Sequence, residues 1–239
     1  MKEKQIIGLT LLSILVLTAA PSFVQAQLTA AAPKTTPSFV YLLNGMPLAR
    51  PASGIIGNIY YNEEWAACTF TISETNQVID GYDGRYNIYF DELDVSTNTG
   101  EKAIESRKIK NFTLGERKKS SFVNANGYTL DGTPLKGFLE VLVDGPVSLF
   151  KRHSLVIKDP DYNPALSAGS HDSKIIKEFE LLYANGTELS KAKNKKKIMA
   201  SFGDKRAQVE SYLKANPTSF SDEAGLVNIF TYYNSLLTH

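Results

Sequence analysis

Cysteine and histidine are scarce in this chain of 239 residues. It contains one cysteine, Cys68, and three histidines, His153, His171 and His239. A single cysteine excludes an internal disulfide, so the fold must be stabilised by its hydrophobic core, which a chain of this length can form. Because cysteine is among the most buried residue types, we expect Cys68 to be a small buried side chain rather than a reactive thiol.

The motifs that identify common enzyme and metal-binding families are also missing. The sequence has no HExxH, no CxxC, no GxSxG, and neither GxxxxGK[ST] nor GxGxxG. No two histidines have a short metal-ligand spacing. We therefore identify no catalytic residue, no metal ligand and no cofactor, and we expect a non-enzymatic protein.

The long apolar run of this sequence lies at its N-terminus. Lys2 and Lys4 precede an almost wholly apolar stretch, Ile6–Ala20, and small residues at 24 and 26 suit the −3 and −1 positions of a cleavage site. This pattern predicts a secretory signal peptide cleaved after Ala26, and hence a periplasmic or secreted protein. A membrane-spanning helix needs about 20 apolar residues, more than this run provides. No cysteine follows the cleavage point, so a lipoprotein is not predicted.

Basic and acidic residues are nearly equal in number. Of 26 basic and 25 acidic residues, two lysines and one glutamate belong to the signal peptide, so the exported chain is neutral. Nucleic-acid binding relies on basic surface, so we expect no nucleic-acid partner. The run KAKNKKK at 191–197 could meet an anionic lipid headgroup. Blocks of like charge are typically solvated, however, and we interpret the run as a linker. No later segment is long and apolar enough to form a transmembrane helix.

Beyond the signal peptide the sequence divides into a leader and a domain. Residues 27–38 are small, polar and proline-containing, which indicates a flexible leader. From Phe39 to about Leu189, β-prone segments between turn residues predict strand after strand. These segments are TFTIS at 69–73, RYNIYFDELDV at 85–95, AIESRKIKNFTL at 103–114 and SFVNA at 121–125.

Two hairpins are predicted from turn residues between apolar runs. Residues 137–159 turn at Asp144-Gly145 and residues 174–189 turn at Asn185-Gly186, dipeptides that favour tight primed turns. Pro146 has no N–H for the pair that closes a two-residue loop, so this loop is longer or the second strand lies at an edge. The stretch between the two hairpins lacks apolar periodicity and predicts an exposed loop.

After Leu189 the apolar period becomes that of a helix. Asp204 and Ser221 are candidate N-caps of two helices, and Asn216-Pro217 ends the first of them. A short helical piece at 198–202 precedes both. The last helix carries an apolar stripe that must bury against another element. The stripe consists of Leu226, Ile229, Phe230, Tyr233 and Leu237.

Together these elements predict an α+β fold. We expect a mainly antiparallel β-sheet or open barrel-like β domain, followed by two or three C-terminal α-helices. The predicted organisation is a signal peptide at 1–26, the leader at 27–38, and a single β-rich domain at 39–239. The helical segment of that domain covers about 196–237.

One aromatic and acidic stretch, GNIYYNEEWAACTF at 57–70, is the candidate ligand site. Tyr60, Tyr61, Glu63 and Trp65 are its candidate binding residues, because aromatic faces stack on the apolar faces of sugars. Adjacent glutamates diverge on a strand, so Glu63 and Glu64 are not an acid–base pair, whose carboxyl groups lie about 5 to 9.5 Å apart across a cleft. We prefer the competing interpretation, in which Trp65 and one tyrosine plug the end of the core.

Glu140 is the candidate for a distant carboxylate that would complete such a site. It lies among Leu139, Val141 and Leu142, where burial would raise its pKa. In the alternative interpretation Glu140 faces solvent near Lys151, across the predicted hairpin.

Three segments resemble a group of exported proteins from Bacteroidota. They are GNIYYNEEW at 57–65, FLEVLVDGPVSLFKR at 138–152 and LVNIFTYYNSL at 226–236. The group shares a Gly-x-x-Tyr-x-x-x-x-Trp opening, an E-x-L-x-D-G-x-V-x-L hairpin, a lysine-rich stretch and a final tyrosine-containing helix. Its tryptophan is often followed two residues later by glycine, where this chain has Ala67. The resemblance implies a Gram-negative envelope context and supplies no activity.

Two functions follow as hypotheses. The first is an exported, non-enzymatic protein with a structural or partner-binding role in the envelope. The second is a carbohydrate-binding module or envelope hydrolase that uses the aromatic platform near Trp65 together with Glu140. The corresponding partner is an envelope protein in the first case and a glycan in the second.

Overall fold

The computed structural model describes residues 55–237 of the chain. The predicted signal peptide, the leader at 27–38, the first part of the predicted domain and His239 lie outside the described residues. Thirteen strands and three α-helices follow one another within 55–237. The strands are β1 (Ile55–Ile56), β2 (Ala66–Ile72), β3 (Val78–Asn87), β4 (Glu92–Thr97), β5 (Gly100–Glu105), β6 (Ile109–Leu114), β7 (Ser120–Asn124), β8 (Thr129–Leu130), β9 (Thr133–Pro134), β10 (Phe138–Val143), β11 (Ser148–Lys158), β12 (Ser173–Ala184) and β13 (Glu188–Lys191). The helices are α1 (Lys195–Ser201), α2 (Arg206–Ala215) and α3 (Glu223–Ser235).

The strands form one open sheet. Their order is β5-β4-β3-β2-β6-β7-β10-β11-β12-β13-β8-β9, and β1 pairs beside β12. The pairs β1–β12 and β13–β8 are parallel, whereas the other neighbours are antiparallel. The three helices follow the last strand. The predicted α+β fold, a mainly antiparallel sheet with a C-terminal helical segment, is therefore confirmed.

Three groups of buried side chains form the core. The first joins strands β2 to β7 with the start of β10, where Phe112 and Phe122 stack with ring centroids 4.6 Å apart. Cys68 belongs to this group and is 3% exposed, as predicted. The second group packs the three helices against the β10–β11 hairpin, and the third lies around Leu139 and Phe150. Aromatic pairs of this kind stabilise a core beyond the area they bury.

The predicted strand at 85–95 is two strands joined by a tight turn. β3 ends at Asn87 and β4 begins at Glu92. The Asn87 side-chain oxygen accepts hydrogen bonds from the N–H groups of Tyr89 and Phe90, at 3.2 and 3.3 Å. An asparagine side chain can replace a backbone acceptor in this way and reverse the chain despite β-prone neighbours. The predicted strand at 103–114 is likewise divided, by a 3₁₀ turn at Ser106–Lys108.

Both predicted hairpins are confirmed, and a third and longer hairpin, which was not predicted, joins them. β11 and β12 pair from Ser148 opposite Ala184 to Lys158 opposite Lys174. The exposed stretch between them is the predicted loop. β10 and β11 pair around the Asp144-Gly145 loop, and β12 pairs with β13 around Asn185-Gly186.

Asn234 of α3 holds the Asp144-Gly145 loop. Its side-chain oxygen accepts from the Val147 N–H at 3.2 Å, and its amide nitrogen donates to the Val147 carbonyl at 2.9 Å. The approach requires glycine at 145, because a Cβ there would lie 2.4 Å from the Asn234 amide nitrogen. The Asp144-Gly145 loop, which contains Pro146, is thus held by hydrogen bonds to the α3 helix rather than by hydrogen bonds within its own backbone.

Replacing Asn234 by alanine is expected to lower the free energy of unfolding by about 2 kcal/mol, because it leaves the buried Val147 N–H and C=O without partners. Chemical denaturation monitored by circular dichroism measures this loss. Asn228→Ala is the matched control, since Asn228 is exposed on the same helix. Equal losses for the two variants would contradict the role given to Asn234.

The helices differ from the predictions at their N-termini. Asp222, not Ser221, caps α3, and its carboxylate accepts from the Gly225 N–H at 2.7 Å. Asp204 lies in a 3₁₀ turn before α2 instead of capping it. α1 begins inside the lysine-rich run, with Asn194 as its N-cap, so only residues 192–194 of that run form the predicted linker between sheet and helices. The predicted end of α2 at Asn216 is confirmed.

None of the helices within residues 55–237 is long and apolar enough to cross a membrane.

Candidate functional site

The candidate binding residues Tyr60 and Tyr61 belong to a segment that runs beside the end of β3. Tyr60 forms an isolated bridge with Asn87, and the Tyr61 N–H donates to the Tyr86 carbonyl at 2.9 Å. The two tyrosines make different contacts. Tyr60 contacts Arg85, whereas Tyr61 reaches Glu140 and His153. The segment therefore connects two polar clusters.

The first cluster is a cation between two aromatic rings. The Arg85 guanidinium lies 4.0 Å from the ring centroids of both Tyr60 and Trp65. It also donates to the backbone carbonyl of Glu63 at 3.5 Å, while the Glu63 side chain is exposed. A guanidinium over an aromatic face is held by the negative face of the ring. The protein's own arginine therefore occupies one face of the Tyr60 ring and one face of the Trp65 ring.

Trp65 is half-buried and lies outside the three core groups, whereas Tyr61 packs against the first of them. The expected plug at the end of the core is therefore formed by the tyrosine and not by the tryptophan.

Asp94 is a fully buried carboxylate next to this cluster. It is 0% exposed, and no hydrogen bond of ordinary geometry reaches either oxygen from the described residues, although the Tyr60 hydroxyl is near enough to act on the carboxylate. Burial raises the pKa of Asp94 to about 6, although the Tyr60 hydroxyl and the Arg85 charge act in the opposite direction. Burial and the nearby Asp94 charge raise the pKa of Tyr60 to about 12. Such a carboxylate is costly to keep ionised.

The second cluster is a hydrogen-bonded chain through Glu140. The Tyr61 hydroxyl donates to one carboxylate oxygen at 3.0 Å and lies 2.9 Å from the Ser120 hydroxyl. The other oxygen lies 2.7 Å from Nε2 of His153. The Tyr61 ring packs edge-on against His153, with centroids 4.9 Å apart. Both oxygens of the buried carboxylate are thus satisfied, as a buried charge requires.

The expectation of a raised pKa for Glu140 is wrong. Burial raises the pKa of Glu140, but its hydrogen bond with His153 and the His153 charge, helped by Tyr61 and Lys151, outweigh burial and lower it. The expected neighbour Lys151 is opposite Glu140 in the β10–β11 register. Glu140 is nevertheless buried rather than solvent-facing, at 9% exposure.

A cleft of about 240 Å³ adjoins His153. One wall is the outer part of β11, from Arg152 to Ile157. The remaining lining comes from the end of β3, the turn after it and the residues around Phe138. The charged residues of the cleft are Asp91, Lys136 and Arg152. The cleft is small and concave, its surface is more polar than apolar, and its charged groups are of the kind that orient a ligand group.

Asp91 is held at the cleft by an unusual backbone. It has φ of +54°, a left-handed conformation that aspartate tolerates better than most residues. The Tyr86 hydroxyl donates to its carboxylate at 3.3 Å. Burial raises the pKa of Asp91, against the opposing effects of Tyr86, Arg152 and Lys136. Gly137 permits this arrangement, because a Cβ there would lie 2.2 Å from an Asp91 oxygen.

Gly137→Ala is expected to displace the Asp91 carboxylate. The free energy of unfolding should fall by about 2 kcal/mol more than it does when an alanine is placed in a left-handed conformation without a clash. Gly132→Ala supplies that reference, since Gly132 has a similar φ, +76° against +81°, and nothing within 4 Å of its Cβ position. Denaturant unfolding of both variants measures the difference. Losses of equal size would mean that Asp91 moves aside freely.

The outer half of β11 has an open edge in the described structure. β10 pairs with β11 no further outward than Glu140 opposite Lys151. β12 continues to pair with β11 as far as Lys158. Among the described strands, residues 152–158 of β11 are therefore paired on one side only, and the other side borders the cleft.

The sequence predictions located part of this site. Tyr60, Glu63 and Trp65 come together around Arg85, and Tyr61 comes together with Glu140. Arg85, Asp91 and Asp94 were missed, although a charged residue within an apolar strand, as at 94, is a signal of a special environment.

Comparison of the chain with protein-family models, with curated proteins and with solved structures gives no match. The resemblance to exported Bacteroidota proteins stays a prediction.

Proposed function

We propose that the protein is exported to the periplasm or beyond, as in the Gram-negative envelope, and acts there by binding a partner rather than by catalysis. The signal peptide predicted up to Ala26 supports export. The binding surface in this proposal is the outer β11–β12 hairpin, defined as residues 152–158 and 173–179.

The observation that carries the proposal is the exposure of large apolar side chains on this outer hairpin. Val156, Ile157 and Ile176 are 38%, 40% and 36% exposed, and Phe179 is 59% exposed. Val156 and Ile176 are directly opposite each other in the register and share one face of the hairpin, whereas Ile157 and Phe179 lie on the other face. Each face of the outer hairpin therefore presents two exposed apolar side chains, and grouped apolar side chains on a folded surface mark interaction sites.

The polar clusters give less support to the hydrolase and glycan alternatives. A general acid needs a pKa raised towards the working pH, whereas that of Glu140 is lowered. A sugar stacking on Tyr60 or Trp65 would be restricted to the ring faces that Arg85 leaves uncovered. These two observations favour the partner-binding proposal.

Photo-crosslinking in intact cells tests the proposal. The photoreactive amino acid p-benzoylphenylalanine replaces Phe179 on the outer hairpin or, as a control, Val78 on β3, which is 60% exposed. We expect a discrete crosslinked product in the envelope fraction from position 179 and none from position 78. Adding Ile157→Glu is expected to remove that product. The same products from both positions, or none from either, would contradict the proposal.

A further inference from the structure

We infer that the open edge of β11, residues 152–158, binds an extended peptide segment of the partner by β-strand addition, and that an acidic side chain of this segment lies between Lys136 and Arg152 in the adjoining cleft. This inference rests on the proposed partner-binding function and specifies its mode.

The outer part of β11 has backbone N–H and C=O groups that can pair with another strand. On an antiparallel strand, alternate residues direct their N–H and C=O groups to opposite sides. One set of these β11 backbone groups pairs with β12 as far as Lys158. On the other side, β10 pairs with β11 no further outward than Lys151. The other set, between 152 and 158, faces the open side. Unpaired strand edges are templates for a further strand, and peptide-binding domains use them in this way.

The cleft provides places for the side chains of an added strand. Leu155 and Ile157 line it from β11, and Ile88 and Tyr89 line it from the β3–β4 turn. Its volume of about 240 Å³ lies below the about 300 to 1,000 Å³ that encloses a whole small-molecule ligand. It suits one or two side chains of a chain that continues past it. Most of the cleft surface is polar, and Ile88, Leu155 and Ile157 provide its apolar contacts, which suit an apolar side chain of the peptide next to the acidic one.

The charges of the cleft indicate an acidic partner. Neither Lys136 nor Arg152 forms an ion pair with any residue of 55–237. Asp91, the carboxylate that lines the cleft, is already hydrogen-bonded by Tyr86. The cleft therefore carries two cations and one carboxylate among the described residues, an excess of one positive charge facing the space where the peptide side chain would lie. A carboxylate there would gain charge-assisted hydrogen bonds.

The same charges argue against a second copy of this chain as the occupant. If two β11 edges paired antiparallel about Leu155, Arg152 of one copy would lie opposite Lys158 of the other. Like charges directly opposite on neighbouring strands are destabilising. A different chain with acidic residues avoids this repulsion.

A peptide library selected against the mature protein tests the inference. Random dodecapeptides displayed on phage are enriched on the protein, and the winners are synthesised with blocked ends. We expect them to carry an aspartate or glutamate flanked by alternating apolar residues. The double variant Lys136→Glu with Arg152→Glu is expected to bind them at least about tenfold more weakly. Lys118→Glu with Lys193→Glu, which changes the net charge equally at exposed positions, is expected to bind them unchanged.

Backbone methylation of the winning peptides distinguishes strand addition from other modes. Methylating the N–H groups of one alternate set is expected to weaken binding about tenfold or more, and methylating the other set to have little effect. The inference is overturned if no peptide is enriched, if the winners lack an acid, or if both sets respond alike. If one of these peptide results overturns the inference but position 179 still crosslinks a partner in cells, strand addition is wrong and the partner-binding function stands. If position 179 gives no crosslink either, both the mode of binding and the partner-binding function are wrong.

Discussion

Replacing Glu140 by alanine is expected to lower the free energy of unfolding by about 3 kcal/mol, one of the largest single-residue effects in this protein. The substitution removes the acceptor for the Tyr61 hydroxyl and the partner of His153 Nε2. His153 then stays in a largely buried environment without its hydrogen bond, and the Tyr61 hydroxyl keeps only Ser120 as a partner. Leaving a buried polar group unpaired is more costly than a hydrogen bond is stabilising. Denaturant unfolding at neutral pH measures the loss.

Glu178→Ala is the control for this substitution, because Glu178 is exposed on β12. We expect it to change stability by less than about 0.5 kcal/mol. The pH dependence adds a second readout. The pKa of Glu140 is lowered in the folded state, so its contribution is complete above the unfolded value near 4.5 and is lost as pH falls through the folded pKa. A wild-type acid transition that Glu140→Ala leaves unchanged would contradict this account.

Asp94→Asn is expected to have the opposite sign and to raise the free energy of unfolding by about 2 kcal/mol at pH 7.5. Asp94 is fully buried, and within the part of the chain that the structure describes no hydrogen bond of ordinary geometry reaches its oxygens. An ionised carboxylate in such a place destabilises the folded state. A neutral amide of the same shape removes the cost of the buried charge and keeps the space filled, while its buried N–H donors offset part of the gain.

The sign of the pH dependence follows from the raised pKa. The pKa of Asp94 increases from 3.8 to about 6 on folding, so the folded state holds its proton to higher pH than the unfolded state. Stability therefore falls as pH rises through the window from about 4 to about 6 and is constant above it. Asp94→Asn lacks this fall. Asp83→Asn, at an exposed position of β3, is the control and is expected to retain it.

The elements that were predicted correctly are those with strong local patterns. Asp144-Gly145 and Asn185-Gly186 lie between β-prone runs, and both turn the chain as expected. The helical period after Leu189 likewise gave the C-terminal helices. The strand predicted at 85–95 failed because one side chain, that of Asn87, supplies the acceptor for a turn among β-prone residues. Strand propensity alone does not reveal that a side-chain oxygen will replace a backbone acceptor and turn the chain.

The candidate site was predictable only in part, because its contacts join distant segments. Tyr61 and Glu140 were proposed to act together and do lie in hydrogen-bond contact. The position of Arg85 between Tyr60 and Trp65 depends on how β3 passes the preceding segment, which no local pattern encodes. The open edge of β11 depends on where β10 stops pairing, and the sequence of β11 itself carries no sign of it.

Hydrogen exchange of the β11 amides tests the central claim most directly. The measurement follows the mature protein by mass spectrometry or NMR, free and with a selected acidic peptide. Amides at 148–151, where β11 lies between β10 and β12, should be protected in both states. Alternate amides at 152–158 should exchange rapidly in the free protein and become protected in the complex. Uniform protection of 152–158 in the free protein, or no change on adding the peptide, would contradict an open edge that receives a partner strand.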